Sequence, residues 1–194
     1  MLKLYGVVKS RAMRPLWLLE ELGEPFEWVP AGPQSEGVRA VSPLGKVPVL
    51  VTDEGPIFDS VAQMTWLADR AGRFTHPAGS YQRARQDGLT NTINETFDAV
   101  LWAYAKHSFV LPEERRVPEV KESLRWQFGR YAAVMAELIE GPCVMGEEPL
   151  IPDFLLAHCC GWAAGLKFDL PEGLRAHMNA MRARPAFRRA LARE

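Results

Sequence analysis

Over about the first 75 residues, short apolar runs alternate with helical spacings; beyond them the spacing is helical throughout. Residues 2–8 are rich in strand formers, with Gly6 interrupting late. Ser10 is a residue type that caps helices. Ala12, Leu16, Leu19 and Leu22 recur behind it at helical intervals, and Gly23 supplies a stop, which predicts a helix over 11–22. Residues 26–29, between Pro25 and Pro30, read as a second strand, and 35–41 as a weaker helix. A strand follows at 48–51, a tight turn at Asp53-Glu54-Gly55, and a last strand at Ile57-Phe58. Ser60 opens a helix to about residue 70, giving the order β-α-β-α-β-β-α.

Residues 72–79 hold Pro77 and two glycines and read as a linker. After it, Leu89, Ile93, Phe97, Val100, Leu101 and Tyr104 form one stripe on a long helix. Further helices are expected at 118–139, 153–166, 171–181 and 186–192. The stretch 153–166 is apolar almost all round and reads as a buried central helix. No internal repeat or low-complexity tract interrupts this pattern. The expected organisation is an α/β domain at 1–74, a linker at 75–80 and an all-α domain at 81–194.

Composition adds limits. A formal net charge of −1 gives no electrostatic case for nucleic acid or an anionic membrane surface. No apolar run reaches the roughly 18 residues of a membrane span, and the opening MLKLYGVV is too short for a signal peptide, so the expected setting is cytoplasmic. Cys143, Cys159 and Cys160 form neither a disulfide framework nor a zinc pattern, so reduced, buried thiols and no metal site are expected.

Several stretches carry a resemblance. "KLYGVVKS" (3–10) resembles an opening whose final serine is catalytic. "SPLGKVPVL" (42–50) resembles a segment with a cis Val-Pro bond, and "FDSVAQMTWLAD" (58–69) one with an acid-serine pair. "RPAFRRALA" (184–192) is a familiar ending. Together, at their mutual spacing, these resemble the bacterial cytosolic glutathione S-transferases of the serine type, with a phi-, theta- or zeta-like opening. The resemblance covers the whole chain. It implies a thioredoxin-like N-terminal domain that binds glutathione, then an all-α helical bundle with an acceptor pocket. It also implies a homodimer, glutathione as co-substrate and no tightly bound cofactor.

On that resemblance, a cis bond before Pro48 aims the N–H and C=O of Val47 outward, where an extended peptide such as glutathione pairs in β-augmentation fashion. Lys46 is placed to meet the glycyl carboxylate. Ser60 and the free N–H groups of its helix start form an anion site for the γ-glutamyl carboxylate. Asp59 meets the α-ammonium; the family usually has glutamate there, so aspartate shortens the reach by one methylene. A serine hydroxyl is too weak an acid to deprotonate a thiol, but Ser10 can donate to the thiolate. Such a bond contributes about 1.5–3 kcal/mol, equivalent to lowering the thiol pKa by roughly one to two units. Tyr5 is the alternative, because it falls near the tyrosine of the tyrosine-type classes. No cysteine precedes Cys143, which argues against the thiol-transferring branches.

The family's usual Ser/Thr-x-x-Asp capping box has Leu150 in its hydroxyl slot here, with Pro152 between it and Asp153. His158 reads as a core histidine. Trp102, Tyr104 and His107 are candidates to line an acceptor pocket, with core packing as the competing role. Two classes of function stay open. One is an enzyme: a transferase acting on a small electrophilic or apolar acceptor, or a glutathione-dependent isomerase, dehalogenase or peroxidase. The other is a non-catalytic binding scaffold.

Overall fold

The computed structural model describes residues 1–193. The backbone divides into two compact units, Met1–Ser80 together with the chain from Arg182 onward, and Tyr81–Met181.

The first unit is built on strands β1 (Leu2–Gly6), β2 (Phe26–Pro30), β3 (Val49–Thr52) and β4 (Gly55–Phe58), in the order β2-β1-β3-β4. β1 and β2 are parallel and the other pairs antiparallel. Helix α1 (Met13–Leu22) makes the crossover between the parallel strands, α2 (Glu36–Val41) leads into β3, and α3 (Ser60–Ala71) follows β4. This is the predicted element order. Two boundaries move at the first turn. β1 stops at Gly6 instead of running to residue 8, because the chain passes itself there: a Cβ on Gly6 would lie 2.3 Å from that of Ala12. Helix α1 begins at Met13, two residues later than expected. Residues 7–12 form a turn in which Ser10 N–H donates to Val7 O (3.1 Å) and Met13 N–H donates to Ser10 O (3.1 Å).

Leu4, Leu16, Leu18, Leu19, Leu50, Met64 and Leu67 are buried between the sheet and the helices, and they supply the main hydrophobic driving force. The segment after Arg182 was expected in the helical domain. It packs on α1 instead, through α9 (Pro185–Leu191). The reason is a matched set of contacts. Phe187 sits edge-on to Trp17 with ring centroids 4.8 Å apart. Arg184 forks onto Glu21 at 2.6 and 2.9 Å, while Arg189 and Arg193 both reach Glu20.

The second unit holds α4 (Tyr81–Ile93), α5 (Ala99–Ala105), α6 (Val120–Glu137), α7 (Ile151–Gly165) and most of α8 (Glu172–Arg182). The expected long helix is interrupted by two π turns, Asn94–Asp98 and Lys106–Val110. Ile93, Phe97, Val100 and Leu101 of the predicted stripe are buried, whereas Leu89 and Tyr104 are only half-buried. Phe97, Phe128 and Phe168 stack edge-on in series. Arg125 caps the end of α7, donating to Leu166 O and Lys167 O.

The start of α7 is satisfied by half a capping box. Asp153 Oδ2 accepts from Leu150 N–H at 2.8 Å. Leucine has no side-chain acceptor, so Asp153 N–H donates to the Leu150 backbone carbonyl, at 2.9 Å. Asp153 Oδ1 also accepts from Val144 N–H and from His177 Nε2, at 2.7 and 2.8 Å. Pro152 occupies the first turn, where its missing N–H costs nothing. His158 is half-buried, 6.5 Å from the Trp162 ring.

Candidate functional site

The strand register gathers three segments at one end of the sheet. Tyr5, near the end of β1, pairs with Val49 at the start of β3, and Val49 pairs with Phe58 at the end of β4. The turn carrying Ser10, the Val47-Pro48 segment and the Asp59-Ser60 start of α3 therefore lie side by side.

Ser10 lies in the turn and does not cap α1. Its hydroxyl donates to Val7 O (2.7 Å), and its oxygen accepts from Ala12 N–H (3.1 Å). The Val7 carbonyl is shared with Ser10 N–H, so it keeps a partner if the hydroxyl rotates away. Tyr5 lies within β1, on the same face as Lys3, the residue two positions earlier. Lys3 is ion-paired with Glu27, and that pair raises the Lys3 pKa.

The Val47–Pro48 bond is cis. Among the described residues, neither the N–H nor the C=O of Val47 has a partner in the chain. Pro48 O is held by Gln63 Nε2 (3.0 Å), which also donates to Ile57 O (2.8 Å) and so ties α3 to two strands. Lys46 is exposed next to this segment.

Asp59 and Ser60 open α3. Asp59 is the cap: its Oδ1 accepts from Val61 N–H (2.8 Å) and Ala62 N–H (3.2 Å). Its backbone has φ +68°, a conformation rarely held outside glycine. Ser60 is the first helical residue and is buried. Its Oγ accepts from Arg14 Nη1 at 3.1 Å. Arg14 is itself 1 % exposed, so a guanidinium charge stands buried beside the helix start. The Ser60 N–H and hydroxyl proton, and Asp59 Oδ2, have no partner among the described residues.

The sequence pattern did not single out Gln63, and it treated Arg14 only as a nearby charge. The one available signal was a polar residue on the buried face of a helix; only the third dimension supplies what that residue reaches.

In the second unit, the Tyr104 hydroxyl accepts from Arg125 Nη2 (2.8 Å), and its ring packs edge-on to Phe168. His107 Nδ1 accepts from Val117 N–H (3.1 Å), tying the second π turn to the loop before α6. Trp102 is exposed at the surface of α5. Among the described residues, no group of three or more His, Cys, Asp or Glu could hold a metal ion. No helix is long and apolar enough to cross a membrane. Cys143, Cys159 and Cys160 are buried and unbridged, and burial pushes the Cys160 thiol up, away from the reactive thiolate.

Residues 10–70 match the profile of the glutathione S-transferase N-terminal domain. A glutathione S-transferase of Pseudomonas putida is 30% identical over 161 residues, covering 80% of this chain and 71% of its own. Among solved structures, a glutathione S-transferase from Pseudomonas fluorescens superimposes with a TM-score of 0.79 at 26% identity, over 95% of this chain and 96% of that one. A sphingomonad glutathione S-transferase complexed with glutathione gives a TM-score of 0.84 at 24% identity, over 98% of both chains. By the Pseudomonas putida relative and the matched domain together, the chain belongs to the glutathione S-transferase family and is a glutathione S-transferase.

Proposed function

We propose that this transferase binds glutathione at the gathered end of the sheet and activates its thiol as a thiolate, with Ser10 as the stabilising group. The observation that carries the reading is the unpartnered peptide edge of Val47, set between the Ser10 turn and the start of α3. An extended peptide completes that edge with two backbone hydrogen bonds. The γ-glutamyl carboxylate then meets the Ser60 N–H and O–H. Arg14 supports it by occupying a lone pair of Ser60 Oγ and by adding positive charge to the helix start. Asp59 Oδ2 takes the α-ammonium, and Lys46 the glycyl carboxylate.

Ser10 turns its hydroxyl from Val7 O to the sulfur. A charge-assisted bond of about 1.5–3 kcal/mol brings the thiol pKa down by roughly one to two units. The thiol proton passes to solvent, and the thiolate forms a carbon–sulfur bond to a small electrophilic or apolar acceptor, either expelling a leaving group such as halide or adding across an activated double bond that then takes a proton from solvent. Trp102, Tyr104 and His107 are the acceptor-side candidates of the helical domain. The reading includes a cytoplasmic setting and a homodimer; sedimentation tests the dimer and cell fractionation the setting.

The test is the ultraviolet absorbance of the thiolate when protein is added to glutathione near neutral pH. A rise in wild type that Ser10→Ala abolishes and Tyr5→Phe leaves intact is the expected result. No rise in wild type sinks the thiolate reading and leaves a binding scaffold; loss in Tyr5→Phe alone transfers the role to Tyr5. A panel of aryl halides, hydroperoxides and organic halides then separates transfer from dehalogenation and peroxide reduction.

A further inference from the structure

Lys46 and Val47 span a two-residue bridge between two clamped points. On one side, Pro48 O is held by the buried Gln63. On the other, Gly45 is held by Gln34, which lies ahead of α2. Gln34 N–H donates to Gly45 O at 2.8 Å. Its Nε2 donates to Leu44 O at 2.9 Å and to Gly45 O at 3.4 Å. Its Oε1 accepts from Arg39 Nε and Nη2, at 3.2 and 3.1 Å, so the amide cannot flip without losing both sets of bonds. Gly45 N–H closes the turn onto Ser42 O.

The fit between the two residues is close. Gln34 has φ +65° and Gly45 φ +60°. A Cβ on Gly45 would lie 2.7 Å from the Gln34 amide. A glutamine held at positive φ is uncommon, and such conformations persist where surrounding bonds over-determine them. None of these bonds touches Lys46 or Val47. Their backbone is therefore set by the two glutamines at its ends.

We infer that Gln34 is a positioning residue: it staples the Ser42-to-Gly45 turn and thereby fixes the Val47 peptide edge before a peptide ligand arrives. The inference rests on the glutathione reading for its ligand. Its physical content is preorganisation: the loop-ordering cost is met in the free protein, so it is not subtracted from binding. The effect belongs to ligand affinity, since Gln34 bonds to nothing in the Ser10 turn.

The experiment compares wild type with Gln34→Ala and Gln34→Gly. It measures glutathione dissociation by calorimetry, turnover of an aryl halide across pH, and exchange of the Gly45 amide bonded to Ser42 O. Both variants are expected to raise the glutathione Kd and KM about tenfold, the scale of one or two lost hydrogen bonds. The kcat at saturating glutathione and the pH of half-maximal rate stay in place, and exchange at the Gly45 amide accelerates. Gln34→Gly relieves the positive φ yet still lacks the side chain. If it binds glutathione like wild type, or if kcat falls with KM unmoved, the staple is overturned. If wild type itself binds no glutathione, the functional reading fails. Exchange alone then decides the staple: acceleration at the Gly45 amide, which is bonded to Ser42 O, upholds it and unchanged exchange there overturns it.

Discussion

Two aspartates open two helices in this molecule, and they do so in opposite ways. Asp153, in the first turn of α7, is fully buried and accepts from Leu150 N–H, Val144 N–H and His177 Nε2. Asp59, the cap of α3, is exposed, sits at φ +68° and directs only one carboxylate oxygen at the helix. The first engages both of its oxygens and the second has an oxygen to spare. A carboxylate that ends its work inside the protein is structural; one that caps with half of itself can meet a ligand with the rest.

The largest way to break this contrast is Asp153→Ala. It strips a buried histidine and two buried amides of their acceptor at once. A loss of roughly 3–5 kcal/mol in urea unfolding is expected, with glutathione affinity per folded molecule unchanged. A loss below about 1 kcal/mol would mean that water replaces the carboxylate and that the site is less dry than its geometry indicates.

Asp59 is expected to separate stability from binding. Asp59→Asn keeps the cap, because asparagine ranks with aspartate there, so unfolding should move by only a few tenths of a kcal/mol. Glutathione Kd should rise about tenfold from the lost charge on the α-ammonium. Asp59→Ala adds a cap loss of about 1 kcal/mol. Equal affinity in wild type and Asp59→Asn would remove Asp59 from the site.

Ser60→Ala sharpens the comparison from the neighbouring position. Since Asp59 makes the cap, no capping loss is expected from Ser60. Arg14 does lose an acceptor, and a few-fold weaker glutathione affinity should appear in calorimetry with a stability cost of about 1 kcal/mol.

The smallest effect is expected at a third aspartate. Asp53 pairs with the N-terminal ammonium at 2.7 Å, and this partner lowers its pKa below the usual carboxylate range. A lowered folded pKa gives stability that is present above the unfolded value and lost as pH falls through the folded one. Both groups are well exposed, so screening leaves little of it. Asp53→Asn should leave the thermal midpoint at pH 7 where it was; a clear drop would show that fraying of β1 limits stability.

The order of strands and helices was legible because one-faced burial imposes its period on sequence. Leu16 and Leu19 reveal α1, and the nearly unbroken apolar run after Asp153 reveals α7. The backbone of the candidate site was legible where a residue type is tied to a backbone need: Pro48 ahead of β3 and Ser60 at the start of α3. What stayed hidden were partners. The sequence pattern left the Asp59 cap, the reach of Gln63 to Pro48 O and the Arg14 bond to Ser60 unassigned. Each depends on which side chain the fold brings near, and a buried polar residue in an apolar stripe has the same spacing as a leucine. The π turns were hidden for a related reason, since one extra residue per turn leaves the apolar intervals almost unchanged.

The docking of α9 on α1 also sets a schedule for synthesis. α3 ends at Ala71 and α9 begins at Pro185, so more than a hundred residues emerge between the two. At about 5–20 residues per second, that interval lasts roughly 6–23 s. Throughout it, Trp17 lacks the ring of Phe187, and Glu20 and Glu21 lack their arginines. The second unit, Tyr81–Met181, has left the ribosome in full before the first receives its last helix. The domain translated first is thus the one completed last.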